Sequence, residues 1–540
     1  MLQDTGSRIA TAQSDHSEDS LDLGNLVGNL RHAGGAIHTI ENGTPVRRSY
    51  QELRRHCAAA MEILRGWGVA PGVRVGIFAP NSYYWLVYDL ALLEIGAVSV
   101  AFTDDFKESL DEETLKKYQV RILLTCKDFR ARFSSLTTRV IIIDAIDQNL
   151  SLLSLPSLAP AQFDPDTLGH VFSSGSSGGL KGLIISRRGV AGCLPPLLKT
   201  VGFRHSDRLL LFLPMSNFQQ RFLCYGALWF DFDIILVEAV HLFKAMELLH
   251  PTVLLAPPIF YQMVHAEFHK QRSWKKTAQW AVAALLALAP GQSLRQALAR
   301  RALGGFYRQF GKRIRLLITG MAPVRPEIGR FFHRMLLPLA EAYGMVEAGV
   351  IAYRPGTLLD FTSVGKPLRD VSLSFSSDGE ILVSRKHTVA SGYFQCAEGE
   401  GQKTFVAPGV IATGDIGALN EKGRLVLLGR KKEIIVTPSG HKIHPEVMER
   451  ELDAHPEISN SVVFLGQKSD LRCIVSLINP GDEEAKLRVR RFLNDHGKIR
   501  KLFSLVTVIF AESPFTRENG MLRPNMKIDR KRIIERYDAA

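Results

Sequence analysis

At 540 residues, 46% hydrophobic and 22% charged, the chain has an ordinary globular composition, and its length suits roughly two to four domains with buried cores. The net charge of +13 comes with dispersed basic residues and nothing resembling a nucleic-acid module, so phosphate-bearing ligands, acidic carrier proteins and membrane surfaces are expected partners ahead of DNA or RNA. The six cysteines are scattered without CxxC or metal-ligand spacing, which argues against a disulfide framework or a zinc site and fits a reduced, cytoplasmic setting.

Residues 1–22 are polar, lack an apolar segment of signal-peptide type, and read as a disordered tail. Helical periodicity runs over 49–68, followed by a buried-type strand at 73–80 and an apolar helix from Tyr83 to Gly96. Short apolar runs at 120–125, 139–144, 208–214, 233–238, 252–258 and 313–320 alternate with helical segments, which predicts parallel sheets covered by helices on both faces. No run reaches the roughly 18 apolar residues of a transmembrane helix. Trp280–Pro290 is too short to span; with Lys275 and Lys276 before it and Arg295, Arg300 and Arg301 after it, it is either a core or surface helix or an interfacial helix resting on a membrane or gating a greasy substrate.

After about residue 365 short alternating strands and an Asp378–Gly379 turn indicate a β-rich subdomain. Beyond Arg430 a strand, a helix (His444–His455), two strands (Ser461–Leu465, Leu471–Ile478), a charged helix (Asp482–His496) and a last strand (Ser504–Ala511) form a compact α+β unit. The expected fold is thus α/β multidomain: a large N-terminal part over 23–431 built of parallel α/β sheets, its β-rich subdomain over 365–431, and a small α+β domain over 432–540.

The sharpest local feature is SSGSSGGLKG, Ser173 to Gly182, set between two apolar runs. Such a stretch cannot pack a core. It is either a flexible loop or one that wraps N–H groups and hydroxyls around phosphate oxygens, with Lys181 adding charge. It lacks the Gly-Lys-Ser/Thr ending of a Walker A loop.

This loop resembles the phosphate-binding signature of the adenylate-forming superfamily, which contains acyl-CoA synthetases, nonribosomal-peptide adenylation domains and firefly-type luciferases. Further segments are similar in the family's order: TGMAP (Thr319–Pro323), EAYGMVE (Glu341–Glu347), SVGKP (Ser363–Pro367), SGYF (Ser391–Phe394), Ala412–Glu433, Ser439–Glu449 and NMKIDR (Asn525–Arg530). Leu213–Arg221, Gly429–Pro445 and Phe515–Arg530 look most like the long-chain fatty acyl-CoA synthetases.

The resemblance implies ATP-dependent activation of a small-molecule carboxylic acid, fatty or otherwise hydrophobic (acyl or aryl), to an acyl-adenylate with release of pyrophosphate, then thioester formation with coenzyme A. ATP, Mg²⁺ and coenzyme A are the implied cofactors. Ser173, Ser174, Gly175, Ser176, Ser177 and Gly178 with Lys181 would cradle phosphates, and Glu347 would hold the metal, a hard cation that prefers oxygen ligands. Tyr343 and Gly344 would lie on one side of adenine, with Gly320, Met321 and Ala322 on the other. Asp415 can accept from both ribose hydroxyls, Arg430 can reach the ribose or α-phosphate, and Lys527 would stabilise charge developing at the reacting oxygens. The resemblance implies that the 432–540 domain is mobile, with Lys432 at the hinge and Gly440 on the path of the thiol; Asn217 and Tyr225 are candidates for the acyl pocket.

Three positions depart from the family pattern: Leu180 replaces a proline, Val346 a threonine and Asn217 a histidine. Transfer to a carrier-protein phosphopantetheine, or an impaired homologue that only binds nucleotide or acyl ligand, are the alternatives. Peripheral membrane contact is compatible with the charge; the oligomeric state is not legible.

Overall fold

The computed structural model describes residues 21–146, 155–158, 160, 162–174, 180–436, 442–466, 470–495, 506–516, 518–522 and 528–538. The segment read as a tail therefore lies outside them up to residue 20, while Leu21 is already buried in the main core.

Two large sheets carry the first two-thirds of the chain. In one, strands Val98–Ala101, Arg74–Phe78, Ile122–Thr125 and Arg139–Ile142 run parallel to Thr167–Ser174, and the edge is closed by antiparallel Leu180–Ser186 and Ala390–Phe394. In the other, Ala36–Glu41, Asp233–Leu236, Arg208–Leu211, Val253–Ala256, Leu316–Thr319 and Leu339–Met345 are parallel neighbours, with antiparallel strands at both edges. The continuous apolar runs of the sequence are these parallel strands, covered on both faces.

Helix Tyr83–Ile95 is apolar all round and almost wholly buried, the behaviour of a helix inside a core rather than on its surface. Ser82 caps its first turn and Gly96 ends it in the left-handed region, at φ +82°. Its Asp89 meets Arg221 of helix Phe218–Phe230: Arg221 Nη2 donates to Asp89 Oδ1 and to Ser99 Oγ, both at 2.6 Å, and the Tyr225 hydroxyl donates to Asp89 Oδ2 at 2.6 Å. This polar knot joins the two helices inside the core.

A five-stranded antiparallel sheet (Ser372–Phe375, Glu380–Ser384, Phe405–Ala407, Val410–Leu419, Leu425–Arg430) follows, with the Asp378–Gly379 turn where the sequence placed it. Last comes a three-stranded sheet of Ile458–Leu465, Leu471–Leu477 and Val506–Phe510 with helices Pro445–Leu452, Glu483–Asp495 and Arg530–Tyr537 and two small cores of its own. Among the described residues no helix is long and apolar enough to cross a membrane.

Candidate active site

The serine-glycine segment joins two paired strands, with Ser173 opposite Lys181 and Ser174 opposite Leu180. Gly175, Ser176, Ser177 and Gly178 lie outside the described residues, as do Gly440 and Lys527. Lys181 pairs with Glu400, and its ammonium stands 5.1 Å from the ring centroid of Tyr393. The Tyr393 hydroxyl in turn donates to Glu347 Oε1 at 3.1 Å. Tyr393 thus places the lysine of the loop and the glutamate of a distant motif around one ring. Glu347 is 7% exposed, and burial pushes its carboxyl above the ordinary glutamate range, opposed by the Tyr393 hydrogen bond and the fields of Arg430 and Lys181.

A second group forms at the C-terminal end of strand Leu339–Met345. The Tyr343 hydroxyl donates to Asp415 Oδ2 at 2.6 Å, and Arg430 Nε lies 2.7 Å from Asp415 Oδ1. Asp415 and Arg430 are cross-strand partners, so the hairpin register itself sets their pairing. Burial, then the neighbouring Asp415 charge, push the Tyr343 phenol well above its usual value. Pairing shifts register between Tyr343 and Gly344, and a Cβ on Gly344 would meet the Gly349 carbonyl oxygen at 2.3 Å, so only glycine fits. Gly320 and Met321 follow the parallel strand Leu316–Thr319, at the end where open α/β sheets bind ligands. Met321 sits at φ +69°, a strained conformation for a side-chain-bearing residue. Ala322 is half-buried on the same loop.

Between these segments and two helices lies an apolar cavity. Gly320, Met321, Ala342, Gly344, Met345 and Val346 wall one side; Leu197, Val201, Phe218, Phe222 and Leu223 wall the other. The pocket residues proposed from sequence do not line it. Asn217 instead caps helix Phe218–Phe230, its side chain accepting from the Gln219 N–H at 3.2 Å. Tyr225 is buried in the Asp89 knot. The polar knot claims the Tyr225 face of the helix, and the cavity receives Phe218 and Phe222, one turn apart. Val346, the departure that removes a hydroxyl, is part of the apolar wall.

Lys432 lies in the short turn Lys431–Glu433 after strand Leu425–Arg430. Lys431 beside it is paired with Asp378 at 2.8 Å and Glu380 at 2.7 Å. Arg530, three residues beyond Lys527, reaches Glu433 at 2.9 Å and Glu449 at 2.8 Å. Sequence reasoning missed Tyr393, Glu400 and Arg530 as members of these clusters, although Tyr393 and Arg530 lie inside quoted motifs.

Known proteins resemble the chain throughout. Long-chain-fatty-acid–CoA ligase FadD15 of Mycobacterium bovis and its counterpart from Mycobacterium tuberculosis are each 29% identical over 89% of this chain and 89% of their own. Among solved structures, ATP-bound MatB from Rhodopseudomonas palustris superposes with a TM-score of 0.71 at 21% identity, covering 95% of this chain and 99% of that one. o-Succinylbenzoate CoA synthetase (MenE) from Bacillus subtilis, in complex with the acyl-adenylate intermediate OSB-AMP, gives 0.69 at 18% identity, covering 94% and 97%. The AMP-binding enzyme profile matches residues 29–394, and the chain belongs to that family.

Proposed function

We propose that this chain is an AMP-forming acid–thiol ligase that activates a hydrophobic carboxylic acid with ATP and passes the acyl group to coenzyme A. One observation carries the reading: the apolar cavity ends against the polar cluster. Gly344, Met345 and Val346 face the cavity, while Tyr343 and Glu347 on either side of them join Asp415 and Tyr393. An acid with its chain in the cavity has its carboxylate at that border. The name carried by relatives at 29% identity favours a long-chain fatty acid, and coenzyme A over a carrier protein. All six cysteines are free thiols, which suits a cytoplasmic setting.

In the first step a carboxylate oxygen attacks the α-phosphorus, the α–β phosphate bond breaks and pyrophosphate leaves. In the second the thiol sulfur attacks the acyl carbon, AMP departs with the bonding electrons, and the thiol proton is lost. The chain's contribution is positioning and charge. Lys181 and the Ser173–Gly178 segment would hold phosphates, Asp415 and Arg430 the ribose, and Tyr343 the base against Gly320, Met321 and Ala322. Glu347 is a single buried carboxylate, and among the described residues no group of three or more His, Cys, Asp or Glu could hold a metal. That donor set fits Mg²⁺ carried in largely on the nucleotide's own oxygens; when bound it neutralises phosphate charge. Residues 432–540 would act as a lid on the 23–431 part, turning at Lys432 to exchange Lys527 for the segment around Gly440.

The test is acid-dependent pyrophosphate release over a panel of fatty, aromatic and short acids, with and without coenzyme A. Long-chain acids should be preferred, and acyl-CoA should form. A protein that converts ATP to AMP with no acid at all in the panel overturns the reading. Lys527→Ala should abolish adenylate formation while a preformed adenylate still reacts with the thiol; equal loss of both steps contradicts its role.

A further inference from the structure

Between Glu267 and Glu327 the sequence carries twelve Lys and Arg residues and no Asp or Glu, so net positive charge gathers in this stretch although its basic residues form no long run. This stretch folds into helices Ser273–Leu286 and Gln292–Ala302, packed against each other, between strands Val253–Ala256 and Leu316–Thr319. The first helix is anchored from within. Trp280 packs on Phe268 and Phe331, with centroids 5.5 and 5.9 Å apart, and Ala283 is buried.

Its outer face is apolar as well. Trp274 is 65% exposed, Leu285 69% and Leu288, just past the helix end, 80%; the exposed Ala281 and Ala284 lie between them on the same stripe. The second helix, packed on the first, also exposes Leu294 and Leu298, four residues apart and 47% and 38% exposed. A water-facing helix normally turns charge outward, and a contiguous apolar face without it marks an interaction surface. Exposed Arg272, Lys275, Arg301 and Arg308 border this one.

We propose that this helix pair is a docking surface for a bilayer carrying anionic headgroups, on which the two helices lie in the interfacial plane. The charge selects this occupant. Tryptophan and leucine side chains insert among acyl chains while lysine and arginine meet the phosphates, the pattern of interfacial amphipathic helices. A second copy would bring the same cations face to face in an isologous contact, and like charges there repel. Nucleic acid would satisfy the cations and leave Leu285 and Leu288 in water. The inference stands apart from the identity of the acid and of the thiol.

The test is co-sedimentation of the full chain with vesicles of phosphatidylcholine alone or with about one quarter phosphatidylglycerol. Wild type should pellet with the anionic vesicles, less so with neutral ones and less at high salt. The triple variant Trp274→Ser, Leu285→Ser, Leu288→Ser and the double variant Lys275→Glu, Arg301→Glu should each bind roughly tenfold more weakly. Both should keep the wild-type unfolding temperature, since the substituted side chains are exposed. Brominated lipid should quench wild-type tryptophan fluorescence, and Trp274→Phe should remove that quenching. The proposal is overturned if wild type stays in the supernatant with anionic vesicles at low salt. It is also overturned if the triple variant binds as well as wild type, or if wild type is a dimer that the triple variant dissolves.

Discussion

The surroundings of Glu347 set the direction in which its own carboxyl titrates. Its folded carboxyl titrates above the ordinary glutamate value of 4.5 because it is buried. Between that value and the raised one, the folded protein holds a proton that the unfolded chain has released. The free energy of unfolding therefore falls as pH rises through this window. Thermal unfolding of the nucleotide-free protein should show that slope, and Glu347→Gln should flatten it. In its proposed role Glu347 would meet phosphate-bound metal in the ionised form, so the acid limb of pyrophosphate release should sit above the usual glutamate range, and Glu347→Gln should reduce the rate roughly a hundredfold or more. An unchanged rate would remove Glu347 from the metal. At Val346, a hydroxyl introduced by Val346→Thr would enter the apolar wall, where burying it costs about 1–3 kcal/mol. The KM for a hydrophobic acid should rise about tenfold. A faster rate at unchanged KM would instead mean that this side chain faces the phosphates.

At the level of elements, the Asp89–Arg221 knot decides which face of helix Phe218–Phe230 looks into the cavity. Both side chains are at most 1% exposed. Arg221→Met would leave a buried carboxylate without its partner, a loss of about 3–5 kcal/mol. Unfolding by denaturant should show it, and the paired change Asp89→Leu with Arg221→Met should recover much of it. Recovery failing would mean that the knot stabilises through contacts other than charge pairing. The same knot explains why the candidates Asn217 and Tyr225 do not line the cavity. Aromatic residues at helical spacing announce an apolar face, but Tyr225 and Phe222 are both aromatic, and only the partner across the interface tells which is core and which is cavity wall. Strand identity was far easier to read, because a parallel strand buried on both faces is a continuous apolar run such as Val253–Ala256 whatever lies beside it.

Across the whole molecule, helix Pro445–Leu452 of the C-terminal unit packs on strand Leu425–Arg430, and hydrogen bonds from Arg325 and Arg450 join the unit to the rest of the chain. Arg325 donates to the carbonyls of Ile458 at 3.1 Å and Ser459 at 2.6 Å, and Arg450 to the carbonyl of Leu427 at 3.2 Å. In the proposed two-step reaction a turning lid would have to break and remake such bonds. Arg325→Ala removes two of them and should broaden the distance distribution between spin labels on helices Pro326–Arg334 and Glu483–Asp495. A distribution unchanged by the substitution would mean that the arrangement is held elsewhere. Arg530, which binds Glu433 at the turn and Glu449 on helix Pro445–Leu452, couples the last motif of the chain to the turn itself.

The amino-acid sequence alone determined the class of fold, the family and the order of its motifs. Hydrophobic period and the chemistry of short segments such as SSGSSGGLKG are properties of neighbours along the chain. Only the tertiary structure decided that Tyr393 stands between Lys181 and Glu347, that Asp415 is shared by Tyr343 and Arg430, and that Phe222 rather than Tyr225 walls the cavity. Each of these brings together groups from different strands or helices. Sheet register and helix phase, set by what packs on the opposite face, determine such meetings, and neither is written in local sequence.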